Sequence, residues 1–160
     1  MRKIIISAVA KNGVIGRSNG EMPWHVKEEF QHFKSTTLGF PIIMGRKSFD
    51  ALGKPLKGRL NVVITNNLKL NLPFDEVKIF HSLKEAVDFF ESENLEKIFI
   101  IGGGEIFKLA INFADEMIIS IMDFEAEGDV YFPDFNKSEW KIVRNDKRKQ
   151  FEILYYERRN

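Results

Sequence analysis

Lys97-Ile98-Phe99-Ile100-Ile101-Gly102-Gly103-Gly104-Glu105-Ile106 runs from an unbroken apolar segment straight into three glycines. Residues 97–101 read as a strand, and four apolar residues in succession fit a sheet covered on both faces. Beyond Gly104, the apolar residues Ile106, Leu109, Ala110 and Phe113 recur at the 3.6-residue period of a helix. Glu116 to Met122 then returns to the strand pattern. One strand–helix–strand unit of this kind implies parallel strands joined by a crossover helix.

The same alternation extends outward in both directions. Ile4–Ala10, Pro41–Met44, Leu60–Thr65 and Val77–Phe80 read as further strands. Ser82-Leu83-Lys84-Glu85 forms a capping box and opens a helix whose inward stripe is Leu83, Ala86, Val87 and Phe90. The end of the chain differs. Trp140–Val143 and Phe151–Tyr156 flank the charged turn Asn145-Asp146-Lys147-Arg148-Lys149, an antiparallel hairpin with a solvated tip. The expected fold is a single α/β domain over residues 1–160. It has a mainly parallel central sheet, helices on both faces and a C-terminal antiparallel hairpin.

Bulk properties narrow the function. A chain of 160 residues, 44% hydrophobic and 29% charged, has the composition of an ordinary globular domain. At this size it buries about 70% of the surface of the extended chain. A net charge of +1 gives no general attraction to nucleic acid or to an anionic membrane, so any anion site is local. The absence of cysteine excludes disulfides and thiolate metal ligands and fits a reducing compartment. The apolar run 4–10 is at the short limit for a signal peptide and ends in the turn Lys11-Asn12-Gly13, so the cytoplasm is the default location.

One acid stands out. Val26, Phe30 and Phe33 form a narrow apolar stripe on a short helix; Glu29 falls inside it, while Glu28 points the opposite way. An unpaired carboxylate buried there is costly, so Glu29 either marks a binding or proton-transfer site or snorkels to the edge of the stripe. His25, His32 and His81 make no metal-ligand pair with a suitable acid and read as polar or partly exposed; no metal site is expected.

Two strand-to-helix junctions look suited to anions: Ile42-Ile43-Met44-Gly45-Arg46-Lys47-Ser48 and Ile100-Ile101-Gly102-Gly103-Gly104-Glu105. Each could equally be a tight turn that binds nothing. Together they favour a ligand with two anionic groups, such as a dinucleotide. Phe107 stands where the usual dinucleotide fingerprint has its third Gly, and no Gly precedes Gly45 at P-loop spacing, so both common phosphate motifs are disfavoured. If a dinucleotide binds, Arg46 and Lys47 point to NADPH over NADH.

These motifs resemble bacterial dihydrofolate reductases. Val14-Ile15-Gly16, Met22-Pro23-Trp24, the helix with Glu29 and Phe33, Pro41 to Arg46, Leu56-Lys57-Gly58-Arg59, Ile100 to Gly104 and Glu127 to Pro133 occur in the family's order and spacing. The resemblance covers essentially the whole chain. It implies NADPH-dependent reduction of 7,8-dihydrofolate to tetrahydrofolate. Glu29, Trp24 and Met22 take the catalytic places. Glu29 hydrogen-bonds the pterin and assists protonation at N5, Trp24 closes the pocket through an ordered water, and Met22 ends the mobile loop 16–22. Ile6, Phe30, Phe33, Leu52, Leu56, Arg59, Ile101 and Ser120 take substrate-binding places, with Arg59 on the α-carboxylate. Ala8, Ile15, Gly45, Arg46, Lys47, Ser48, Asn66, Gly102, Gly103, Gly104, Glu105 and Ile106 take cofactor-binding places, and the Gly102–Gly103 bond is cis. The partners implied are dihydrofolate and antifolates, with a monomeric protein, no nucleic acid and no membrane.

Departures from the family pattern are Glu29 in place of the commoner Asp, Glu105 in place of a cation, Phe107 in place of a Tyr, Ser120 in place of a Thr, and Phe30 in place of a Leu. Two other functions share the fold: a riboflavin-pathway reductase acting on a ribosylamino-pyrimidine, and a non-catalytic NADPH-binding protein.

Overall fold

The computed structural model describes residues 1–160. In chain order the elements are β1 Arg2–Val9, β2 Val14–Gly16, α1 Lys27–Thr37, β3 Ile42–Gly45, α2 Arg46–Leu52, β4 Asn61–Ile64, β5 Val77–Phe80, α3 Leu83–Ser92, β6 Lys97–Gly102, α4 Gly104–Ala110, β7 Glu116–Met122, β8 Val130–Tyr131, β9 Trp140–Lys147 and β10 Phe151–Arg158. Eight strands form one sheet in the order β5-β4-β3-β6-β1-β7-β10-β9. All neighbours from β5 to β7 pair in parallel, and β10 runs antiparallel to both β7 and β9. The expected fold class is therefore the one observed.

Alternation along each strand divides the core in two. Ile5, Ile43, Val62, Ile98, Ile100, Met117 and Ile119 face α3 and α4, where Ala86, Phe90, Phe107 and Ala110 are buried. Ile4, Ile6, Ile42, Met44, Val63, Phe99 and Ile118 face the other way, toward Val26 ahead of α1 and Phe49 of α2. Helices on both faces explain why these strands carry no polar alternation. The Ser82 cap forms as expected, its hydroxyl accepting from Glu85 N–H at 3.0 Å. The return bond of the box goes elsewhere, because Glu85 Oε2 accepts from His81 N–H at 3.3 Å.

Three expectations need correction, and one short strand pair has no counterpart among them. The C-terminal hairpin is longer than the apolar pattern suggests: Arg144 to Lys147 continue β9, leaving residues 148–150 as the tip. β9 is an edge strand exposed along most of its length, so burial imposes no apolar alternation on it. β2 and β8 form a separate two-stranded ribbon that is too short to produce a sequence pattern. His32 is buried at 8% exposure rather than partly exposed, because the inward face of α1 also carries Glu29 and Thr37. Phe30 and Phe33 are only half-buried, so the expected apolar stripe is in large part a polar buried face.

Candidate active site

The site lies where the parallel strands end. β1 pairs with β6 only as far as Ile5–Ile100, while its pairing with β7 continues to Val9–Ile121. Past Ile5 and Ile100 the two central strands part, freeing the backbone of Ile6 and Ile101 from each other. The β3–β6 register also slips here: Ile43 faces Ile100 but Met44 faces Gly102, which leaves Ile101 as the extra residue of a bulge. A crevice at the carboxyl ends of parallel strands is the usual ligand position in open α/β sheets, and bulges commonly re-aim groups beside it.

Glu29, from the first turn of α1, is 5% exposed. Burial raises its pKa from 4.5 to about 7, and the neighbouring Ser120 hydroxyl acts in the opposite direction. Ser120 is itself buried and pairs with Ala8 in the β1–β7 ladder, which joins three of the expected residues in one place. Trp24, half-buried, stands edge-on to Phe124 at 5.7 Å, and its indole N–H is buried without a protein partner. A donor in that state requires a water or a ligand acceptor.

Arg59 is held by neutral acceptors. Its Nε donates to Lys57 O at 3.0 Å, its Nη1 donates to Thr37 Oγ1 at 3.3 Å, and the guanidinium lies 5.9 Å from the Phe33 ring. No acid pairs with Arg59, and partial burial lowers its pKa; it is an oriented cation held by neutral acceptors. Thr37 and Asn61 are supporting residues that sequence reasoning missed. Thr37, fully buried, also donates to Phe33 O at 2.8 Å. Asn61 accepts from Leu56 N–H at 2.9 Å and donates to Leu56 O at 2.9 Å and Arg59 O at 3.0 Å, which sets the loop carrying both residues. A buried Thr or Asn has no periodic signature, since its partners are backbone atoms chosen by the fold. Leu56 and Phe33 each pack partly buried against the core, Leu52 is exposed, and Phe30 is half-buried against the His25 ring at 4.7 Å.

The two glycine junctions meet. A Cβ on Gly103 would come within 3.3 Å of Ser48 Oγ, and one on Gly45 would lie 3.4 Å from Ile106 and 3.9 Å from Gly103 N. The Gly102–Gly103 bond is cis, as the resemblance implies, and Gly102 has φ +128°, a region that favours glycine. β3–α2 and β6–α4 thus form one cradle, lined by glycine backbone with the Ser48 hydroxyl and Ile106 beside it. Phe107 lies beneath it, 1% exposed and packed on Phe132 at 5.3 Å. On the rim, Arg46 Nε pairs with Asp50 at 3.1 Å and leaves its terminal nitrogens free of protein acids, while Lys47 and Asn66 are exposed. Glu105 points outward toward Lys108 at 4.0 Å, so an exposed acid stands at the place where the family pattern has a cation. Ala8 is buried and Ile15 half-buried at the adjoining ends of β1 and β2.

Loop 16–22 packs against α2 beside this region. Arg17 N–H donates to Glu21 O at 2.9 Å, and Ser18 N–H donates to Asp129 Oδ1 at 2.8 Å. The Ser18 bonds hold the Asp129 carboxyl below its usual range. Asp129 belongs to a motif noted in the sequence, but its tie to the loop is visible only in the fold. Gly20, at φ +91°, sits so close to α2 that a Cβ would lie 2.4 Å from Lys47 O. Gly20→Ala is therefore expected to lift the loop off α2, seen as loss of amide-exchange protection at Ser18 and Gly20 with the melting temperature nearly unchanged. Retained protection would mean that the contact does not hold the loop.

Comparison with known proteins agrees along the whole chain. The family model described as dihydrofolate reductase matches residues 3–158. Dihydrofolate reductase of Bacillus subtilis is 34% identical over 162 residues, 97% of this chain and 94% of the relative. That of Haemophilus influenzae is 37% identical over 153 residues, 96% of this chain and 92% of the relative. Among solved structures, dihydrofolate reductase from Enterococcus faecalis complexed with NADP(H) and RAB-propyl superposes with a TM-score of 0.89 at 27% identity. The match covers 99% of this chain and 97% of that one.

Proposed function

The chain belongs to the dihydrofolate reductase family, NADPH-dependent oxidoreductases that reduce dihydrofolate, and within that reaction we propose that Glu29 is the acid that assists protonation of pterin N5. The observation that carries this reading is the carboxyl itself, buried and with its pKa raised to about 7. Such an acid is half protonated near neutrality and needs no strong base or acid from solvent to exchange its proton. NADPH, when bound, supplies the hydride that reaches pterin C6.

The other residues divide the work. Arg59 takes the α-carboxylate of the substrate, and Phe33, Phe30, Leu52 and Leu56 wall the pterin and benzoyl groups. Ile6 and Ile101 offer carbonyls to the pterin amino group, Ser120 links Glu29 to the ring, and the Trp24 indole N–H satisfies a water there. Gly45, Gly102 and Gly103 let a dinucleotide approach the backbone, and Gly104 joins them on the cofactor side, where the β8 residue Val130 leaves no room for a Cβ, 2.8 Å away. Ala8, Ile15, Ser48, Asn66, Glu105 and Ile106 complete the cofactor side, and Arg46 and Lys47 read the phosphate that separates NADPH from NADH. Loop 16–22, ending at Met22, excludes water during transfer. The same pocket takes antifolates, made more aromatic by Phe30.

We also propose that residues 1–160 work as one domain, as a monomer, in the cytoplasm; no helix is long and apolar enough to cross a membrane. The primary test follows NADPH absorbance with dihydrofolate, with NADH in parallel. Rapid folate-dependent oxidation of NADPH and slow oxidation of NADH are expected. NADPH binding without oxidation would overturn the catalytic reading and leave a binding module.

A further inference from the structure

The helix that carries Glu29 starts from Val26, which is buried in the core, but has few polar ties ahead of its first turn. Its N-cap is Val26, whose side chain accepts no hydrogen bond. No backbone N–H from Met22 to Glu28 donates to another backbone group. Across these residues the side chains make one polar contact: Glu28 Oε2 accepts from Arg148 Nη1 at 3.1 Å. Arg148 lies 120 residues away in sequence, at the tip of the β9–β10 hairpin. Its other terminal nitrogen donates to Asp146 Oδ2 at 2.8 Å, and its backbone N–H donates to Phe151 O at 2.8 Å. The guanidinium is thus fixed on the hairpin and reaches across to the helix.

Glu28 and Glu29 are consecutive in the first turn, about 100° apart around the helix, with Glu29 buried and Glu28 partly exposed. Anchoring Glu28 from outside therefore limits rotation of the turn that turns Glu29 inward. We infer that Arg148 is a positioning residue for the reduction, holding the first turn of α1 through Glu28 so that Glu29 stays shielded from water. The inference rests on the reading of Glu29 as the proton-delivering acid only for its effect on turnover; its effect on the carboxyl itself is independent of that reading.

The sign of one measurement separates a clamp from a simple charge effect. Removing a cation acts through space to raise the pKa of any nearby acid. Releasing the turn admits water to Glu29 and lowers its pKa from about 7 toward 4.5. The experiment is a carbon NMR titration of the Glu29 carboxyl in the full chain, in the wild type and in Arg148→Ala. A downward shift of ~0.5 unit is expected, about threefold in the equilibrium, as suits an exposed ion pair. Arg148→Lys should restore part of it. His32, buried on the same helix and held low by burial and then by Arg148, should move upward in Arg148→Ala and is read separately from its ring carbons. An unchanged or raised Glu29 titration overturns the clamp. Glu29→Gln, assayed in parallel, tests the proton-delivery reading by itself, so the two failures are distinguishable.

Discussion

Glu29→Gln is expected to slow dihydrofolate reduction at pH 7 by about 10²-fold or more, the usual contribution of a positioned general acid, while NADPH binding stays within about twofold. The amide keeps the shape and the hydrogen-bonding capacity of the group but cannot lose or deliver a proton. In the wild type the rate should fall as pH rises through about 7, because the protonated carboxyl is the competent form. That limb should vanish in the variant. Stability should also fall as pH rises, over a lower range. The folded-state pKa is raised, so the contribution of this group is fully present below pH 4.5 and is lost as pH rises toward 7. The loss amounts to ~3 kcal/mol at about 1.4 kcal/mol per pKa unit. Glu29→Gln should therefore melt higher than the wild type at pH 8 and about equally at pH 4. Unchanged turnover would remove the proton-delivery role, and an unchanged melting difference between the two pH values would remove the raised pKa.

Arg59→Ala should raise the Michaelis constant for dihydrofolate by about 10²-fold, the equivalent of one or two charge-assisted hydrogen bonds. kcat should change by only a few fold, because the carboxylate is bound equally in the ground and transition states. The preparation of this cation supports the size of the effect. Lys57 O and Thr37 Oγ1 orient the guanidinium, and no protein acid competes for it. Arg59→Lys should recover only part of the loss, since a point charge cannot make the paired contact of the planar fork. A pterin substrate without the glutamate should show equal Michaelis constants with the wild type and with Arg59→Ala. Equal constants with intact dihydrofolate would place the carboxylate elsewhere.

Much of this was readable from the chain. Continuous apolar runs at 97–101 and 116–122 could be satisfied only by a sheet covered on both faces, and the helical spacing between them required a parallel crossover. The capped start at Ser82 is a local signal with a local outcome, and its hydrogen bond is present. Glu29 was legible for the same reason: an acid inside an apolar stripe is an anomaly that periodicity alone exposes. Local pattern and tertiary surroundings diverge along α1. Phe30 and Phe33 shared that stripe yet are half-buried, while Glu29, His32 and Thr37 of the same helix are buried. A helix facing a pocket covers polar groups that a helix facing core would not.

What the order of residues determined by itself was the alternation of elements, the parallel sheet with its antiparallel end, and the positions of the glycine turns. Each depends on the period of side chains along a strand or helix, or on the backbone freedom of glycine, within a few residues. Only the tertiary structure decided that Gly45 and Gly103 meet in one cradle, that Thr37 and Asn61 prepare Arg59 and its loop, that Asp129 holds loop 16–22, and that Arg148 reaches Glu28. These are contacts between segments far apart in the chain. Their partners are single polar atoms with no periodicity, so they exist as signals only once the sheet has brought its ends together.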